Sequence, residues 1–163
     1  MGLYHELSYK KPFKFQVEET LLSIVHTGNL LSKDGQRLLR PLGLTDAQFN
    51  VLMLLEHHCD EGRLSQTKLG KMLLVNRSNV TGLVDRMEKA GLVRRVADRE
   101  DRRVNQLEMT EAGGRVLEKA YKEYFSRIED IMSTLSGKEQ NNLSEMLEKV
   151  RRQLRCRVMQ EIA

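Results

Sequence analysis

The stretch NRSNVTGLVDRMEKAGLV, residues 76–93, decides how this chain folds. Val80, Leu83, Val84 and Met87 fall at i, i+3, i+4 and i+7, which puts all four on one stripe of an α-helix and predicts that the stripe is buried. Asn76 is a suitable N-cap. Gly91 stands where a helix ends on a left-handed residue. With the apolar stripe turned inward, a 100° step per residue directs Ser78, Thr81, Gly82 and Asp85 outward and leaves Asn79 and Arg86 on the flank. A helix with this division buries one face and offers short polar side chains on the other.

The neighbouring segments give that helix its setting. Ser65 reads as the N-cap of a short preceding helix through Leu69, Met72 and Leu73. After Gly91, the runs Leu92–Val96 and Val104–Met109 flank the charged segment Asp98–Arg102 and predict a hairpin, although its tip lacks the Asn-Gly pair of a tight turn. Further upstream, Thr45 and Gln48 form a capping box that opens a helix through Phe49, Leu52 and Met53, ending in the polar run 57–62. Leu21, Ile24, Val25 and Leu31 share one face of a helix that runs from Val17 to about Arg40, before Pro41. Residues 1–16 have no clear period and read as an arm. Downstream, Thr110 and Glu111 open a long helix through Val116, Leu117, Tyr121, Phe125, Ile128 and Met132. Gly137 is expected to mark a break, and a last helix repeats Leu143, Met146, Leu147, Val150, Leu154, Val158 and Ile162. The expected fold is mainly α with a small β-wing. It comprises an N-terminal arm and dimerisation helix (1–40), a winged helix-turn-helix lobe (41–110) and C-terminal dimerisation helices (111–163).

Composition excludes several classes. In 163 residues there are no Trp, two Pro and 5% aromatics, a poor recipe for a β-sandwich. A content of 40% hydrophobic and 31% charged residues supports a packed core rather than a disordered polymer. The longest apolar run, 51–55, is far short of the ~20 residues of a membrane span. The first fourteen residues, charged and containing Pro12, do not resemble a secretory signal. Cys59 and Cys156 do not form a disulfide framework, and reduced thiols in the cytoplasm are expected. The net charge of +4 is unevenly placed. Residues 65–103 hold ten basic and five acidic side chains, whereas the rest of the chain is net −1. An excess of positive charge confined to one segment is what a phosphate-binding surface requires, although a solvated surface of mixed sign would give the same count.

Residues 64–113 resemble the MarR family of bacterial transcription regulators. The likeness rests on Leu64-Ser65-Gln66, on the 76–93 helix, and most sharply on Asp98-Arg99-Glu100-Asp101-Arg102-Arg103 followed by Leu107 and Met109-Thr110-Glu111-Ala112-Gly113. These are similar to the family's D-x-x-D-R-R wing and the L-T-x-x-G start of the next helix. Leu44-Thr45 with Gln48-Phe49 matches the opening of its second helix, and the general likeness extends over residues 17–160. Met109 stands where the family more often has a β-branched residue or Leu. The resemblance implies a homodimer with interlocked terminal helices that binds a pseudo-palindromic operator in double-stranded DNA. Such a protein is usually a repressor released by a small-molecule effector or by oxidation.

Each candidate DNA contact has a chemical reason. Ser78, Asn79 and Thr81 are short hydrogen-bonding side chains suited to base edges or phosphates. Arg86 reaches a phosphate or a guanine, and Arg77 in the first turn suits a phosphate near the helix N-terminus. Gly82 costs roughly 1 kcal/mol relative to Ala in a helix. Its missing side chain permits close approach to DNA, unless the exposed position merely tolerates glycine. Arg102 and Arg103 at a hairpin tip suit the narrow, electronegative minor groove. The resemblance points to Arg103 as the inserted side chain, with Asp101 holding it in place.

For an effector, the resemblance implies a site between the dimer helices and the DNA-binding lobe, and His26, Phe49, Met53 and His57 are the positions considered; core packing is the alternative for each. Adjacent His57 and His58 do not easily turn to one ion, and only His5 and His26 remain as further histidines, so no metal or other cofactor is expected. The family's peroxide-sensing branch uses an N-terminal Cys that residues 1–58 lack. Cys59 beside two histidines is either an inert thiol or a redox-responsive one. Val17, Leu143, Leu147, Val150, Leu154 and Val158 are the expected dimer interface. No nucleophile–base set or phosphate-cradling Gly loop suggests an enzyme. The alternatives are a redox- or metal-responsive regulator of the same fold and a winged-helix protein-interaction module.

Overall fold

The stripe that organises the chain is buried: Val80, Val84 and Met87 are at most 1% exposed and Leu83 6% in a computed structural model of the protein. The structure describes residues 2–57, 63–73, 77–98 and 105–162, with the side chains of 77, 78, 105 and 158–162 left outside that description. The described residues form seven α-helices, α1 (Leu3–Glu6), α2 (Gln16–Leu39), α3 (Asp46–His57), α4 (Gln66–Leu73), α5 (Arg77–Lys89), α6 (Glu111–Met132) and α7 (Gly137–Ile162), with a 3-10 turn at Arg40–Leu42. Three short strands, β1 (Arg63–Ser65), β2 (Val93–Ala97) and β3 (Asn105–Met109), form one antiparallel sheet in the order β1-β3-β2. The chain divides into two compact units, Met1–Tyr121 and Lys122–Ala163.

Local chemistry explains the helix ends. The Thr45 backbone N–H donates to Gln48 Oε1 (2.9 Å), and the Gln48 N–H donates back to Thr45 Oγ1 (3.3 Å), as the capping box requires. Ser65 Oγ accepts the Lys68 N–H at 3.2 Å and so caps α4. Gly91 has φ +70°. Its N–H reaches the Glu88 carbonyl (2.9 Å) while the Leu92 N–H reaches the Met87 carbonyl (2.9 Å), the paired bonds of a Schellman ending. Leu92 and Met87, joined by the second of these bonds, are both buried.

Several expectations change. The N-terminal arm contains the one-turn helix α1. The wing gains a third strand: β1 pairs with β3 through Arg63↔Glu108, Leu64↔Leu107 and Ser65↔Gln106. Three residues before a helix cap are too short to show a period, so sequence alone missed them. Gly137 is not the break but the first residue of α7. The break precedes it, where Ser136 accepts the Glu139 N–H (3.4 Å) and the Glu139 carboxylate takes the Ser136 N–H (2.8 Å). Asn76, His58, Cys59 and the wing loop residues 99–104 lie outside the described residues.

The core of the first unit combines Leu39, Leu44, Phe49, Val51, Leu52, Leu55, Leu64, Leu69, Leu107, Leu117 and Ala120 with the α5 stripe. The N-terminus of α6 is fixed to the start of β2 by Thr110. Its N–H donates to the Leu92 carbonyl (3.1 Å), its hydroxyl donates to the Gly91 carbonyl (2.6 Å), and its Oγ1 accepts the Gly113 N–H (3.0 Å). A Cβ on Gly113 would lie 2.1 Å from the Leu92 carbonyl oxygen, so only glycine lets α6 approach this closely. This contact supplies the physical reason for the Thr-x-x-Gly pattern at 110–113.

Candidate nucleic-acid interface

Opposite its buried stripe, α5 leaves Asn79, Thr81 and Arg86 exposed and Gly82 half-buried. Arg86 Nη1 lies 3.5 Å from where a Gly82 Cβ would stand, so the arginine lies back along the helix over the glycine. The face therefore presents hydrogen-bonding groups of moderate reach, one long cation and a bare patch of backbone. The backbones of Arg77 and Ser78 form the first turn of α5, but their side chains lie outside the described residues, as do Asp101, Arg102 and Arg103.

Asp85 does not simply face outward. Its carboxylate and that of Glu88, one turn on, both pair with the guanidinium of Arg95 on β2. Glu88 also accepts the Arg95 backbone N–H at 3.1 Å. The Asp85 hydrogen bond, together with Glu88, raises the Arg95 pKa above its ordinary value despite partial burial. Two carboxylates on a helix meant for DNA would repel phosphate, and Arg95 neutralises them while tying the helix to the wing strand. Helical spacing alone turns Asp85 outward and counts Arg95 only as part of the basic excess. Acids at i and i+3 on a basic helix, followed by a strand arginine, are the signal that it passed over. On the other face of the sheet, Arg94 Nε donates to Glu108 Oε2 (3.0 Å) across the β2–β3 register. That bond, reinforced by the charges of Arg94 and Arg63, holds the Glu108 carboxyl below the usual glutamate value.

A cavity of about 380 Å³ lies between α3 and α6, lined by Met53, Glu56, His57, Gly114, Leu117, Glu118 and Tyr121. The structure brings Met53 and His57 together there, and the His57 and Tyr121 rings stand 6.2 Å apart at 55°. Phe49, 3% exposed, packs in the core instead. His26 is half-buried on α2 and does not line the cavity. Among the described residues, no group of three or more His, Cys, Asp or Glu is placed to hold a metal ion. No described helix is long and apolar enough to cross a membrane.

The chain is similar to known proteins over most of its length. A family model described as MarR family matches residues 42–104. The transcriptional repressor YetL of Bacillus subtilis is 32% identical over 129 residues, covering 79% of this chain and 77% of YetL. This chain belongs to the MarR family. The family's members are DNA-binding transcriptional regulators, and so is this protein. BadR of Rhodopseudomonas palustris, a transcriptional activatory protein, is 40% identical over 90 residues, covering 55% of this chain and 51% of BadR. Among solved structures, the MarR family regulator AbsC from Streptomyces coelicolor has the same fold, with a TM-score of 0.81 at 22% identity over 89% of this chain and 99% of AbsC.

Proposed function

We propose that this MarR-family regulator is a homodimeric repressor that grips a pseudo-palindromic operator and lets go when a small molecule enters the cavity between α3 and α6. The exposed Asn79–Thr81–Gly82–Arg86 face of α5 carries the reading, because it combines groups for base edges with a backbone surface that DNA can approach closely. Arg77, Ser78 and Arg102 are further proposed contacts, and the family resemblance assigns Arg103 to the minor groove with Asp101 as its orienting partner.

Two supports favour a second copy. On α2, Val17 (72% exposed), Leu21, Ile24, Val25 and Leu31 leave an apolar row uncovered. On α7, Leu143, Met146, Val150 and Leu154 do the same, with Leu147 half-buried beside them and Val158 continuing the spacing. Rows of this size on separate helices are covered in a symmetric dimer. Repression follows YetL, and the effector site follows the position of the cavity beside α6. Selection of bound sequences from random duplex DNA tests the reading. An enriched inverted repeat supports it, and the absence of any enriched sequence contradicts it.

A further inference from the structure

We propose that the cavity between α3 and α6 takes an organic cation, a protonated or quaternary amine carried on a one- or two-ring apolar body. This rests on the reading of that cavity as the effector site and names the ligand class. Glu56 and Glu118 are both exposed and lie at its rim, and among the described residues no Lys or Arg lines it. Met53 and Leu117 supply apolar surface, and the Tyr121 ring offers a π face of the kind that attracts an ammonium group. With His57 the one other ionisable side chain among the described lining residues, two carboxylates and an aromatic ring around an apolar floor repel a carboxylate or phenolate ligand and attract a cation. At about 380 Å³, the space matches a compact ring system rather than a metal ion or a peptide.

Gly114 gives the cavity its depth. A Cβ built there meets nothing within 4 Å, in contrast to neighbouring Gly113, so the missing side chain is open volume on the cavity wall. The opposite flank of α6 shows that the charge pattern is selective. There, Arg115 and Lys119 join Pro41, Leu42, Ala112 and Val116 around a second space of about 390 Å³. Along α6, Glu118 thus lines the first cavity and Arg115 and Lys119 the second, so an anionic ligand is matched by the second.

The test titrates the full-length protein with benzyltrimethylammonium, its neutral tert-butyl isostere neopentylbenzene, and phenylacetate, following binding by NMR and DNA affinity in parallel. The expected result is binding of the cation at least tenfold tighter than of either comparator. Glu56→Gln with Glu118→Gln should weaken it tenfold or more. Gly114→Leu, which fills open space without a strained backbone, should abolish it while thermal stability is kept. Equal or tighter phenylacetate binding that is lost in Gly114→Leu would overturn the proposal, as would no cation binding at all. Cation binding that leaves DNA affinity unchanged would sustain the ligand class and overturn the effector reading instead.

Discussion

Gly113 and Gly82 are both helical glycines, and they stand in opposite surroundings. At Gly113 the obstacle is a backbone carbonyl, that of Leu92, which also holds the Thr110 N–H and cannot move aside without breaking the joint between α6 and β2. Gly113→Ala should therefore destabilise the protein by about 1–3 kcal/mol, the usual range for overpacking, seen as a lower thermal midpoint. Among the described side chains, a Cβ at Gly82 would meet only the flexible end of Arg86, at 3.5 Å. Gly82→Ala should raise stability by up to about 1 kcal/mol through helix propensity. It should also weaken binding to the selected duplex, measured by fluorescence anisotropy. An alanine variant that is more stable and binds DNA as tightly as wild type would mean that the position merely tolerates glycine.

At the scale of elements, the wing and α5 form a charged lattice. Arg95 joins β2 to Asp85 and Glu88, and Arg94 joins β2 to Glu108 on β3. Because the folded state holds the Glu108 pKa below the 4.5 of an unperturbed glutamate, its contribution to stability is present above that value. It is lost as pH falls through the lowered folded pKa. A carboxyl-detected NMR titration should give a Glu108 midpoint below 4.5, and Arg94→Ala should return it toward 4.5. The elements differ in how legible they were. The α5 stripe, the Thr45–Gln48 box and the Gly91 ending were readable because period, cap and φ preference agree at each. The β1 strand and the Arg95 clamp were not, since β1 pairs with residues more than 40 positions on and Arg95 with carboxylates 7 and 10 positions back, which only folding brings close. The cavity was half readable: Met53 and His57 lie on it, whereas Gly114, Glu118 and Tyr121 come from a helix whose apolar period marks its buried face and says nothing of its rim.

For the molecule as a whole, the proposed dimer links association to DNA binding, because reading two half-sites about one helical turn apart takes two copies of α5. Leu147→Asp combined with Leu154→Asp on α7 should produce monomers in sedimentation analysis and abolish cooperative binding to an inverted repeat. A double variant that remains dimeric would place the interface elsewhere. The most direct test of the central claim is selection from random duplex DNA at two salt concentrations, with wild type and Arg103→Ala compared. An enriched inverted repeat is predicted, bound more weakly as salt rises, with Arg103→Ala reducing affinity by about 1–3 kcal/mol if it reads the minor groove. Failure of wild type to enrich any sequence, or an Arg103→Ala variant that selects and binds the same repeat with undiminished affinity, would contradict it.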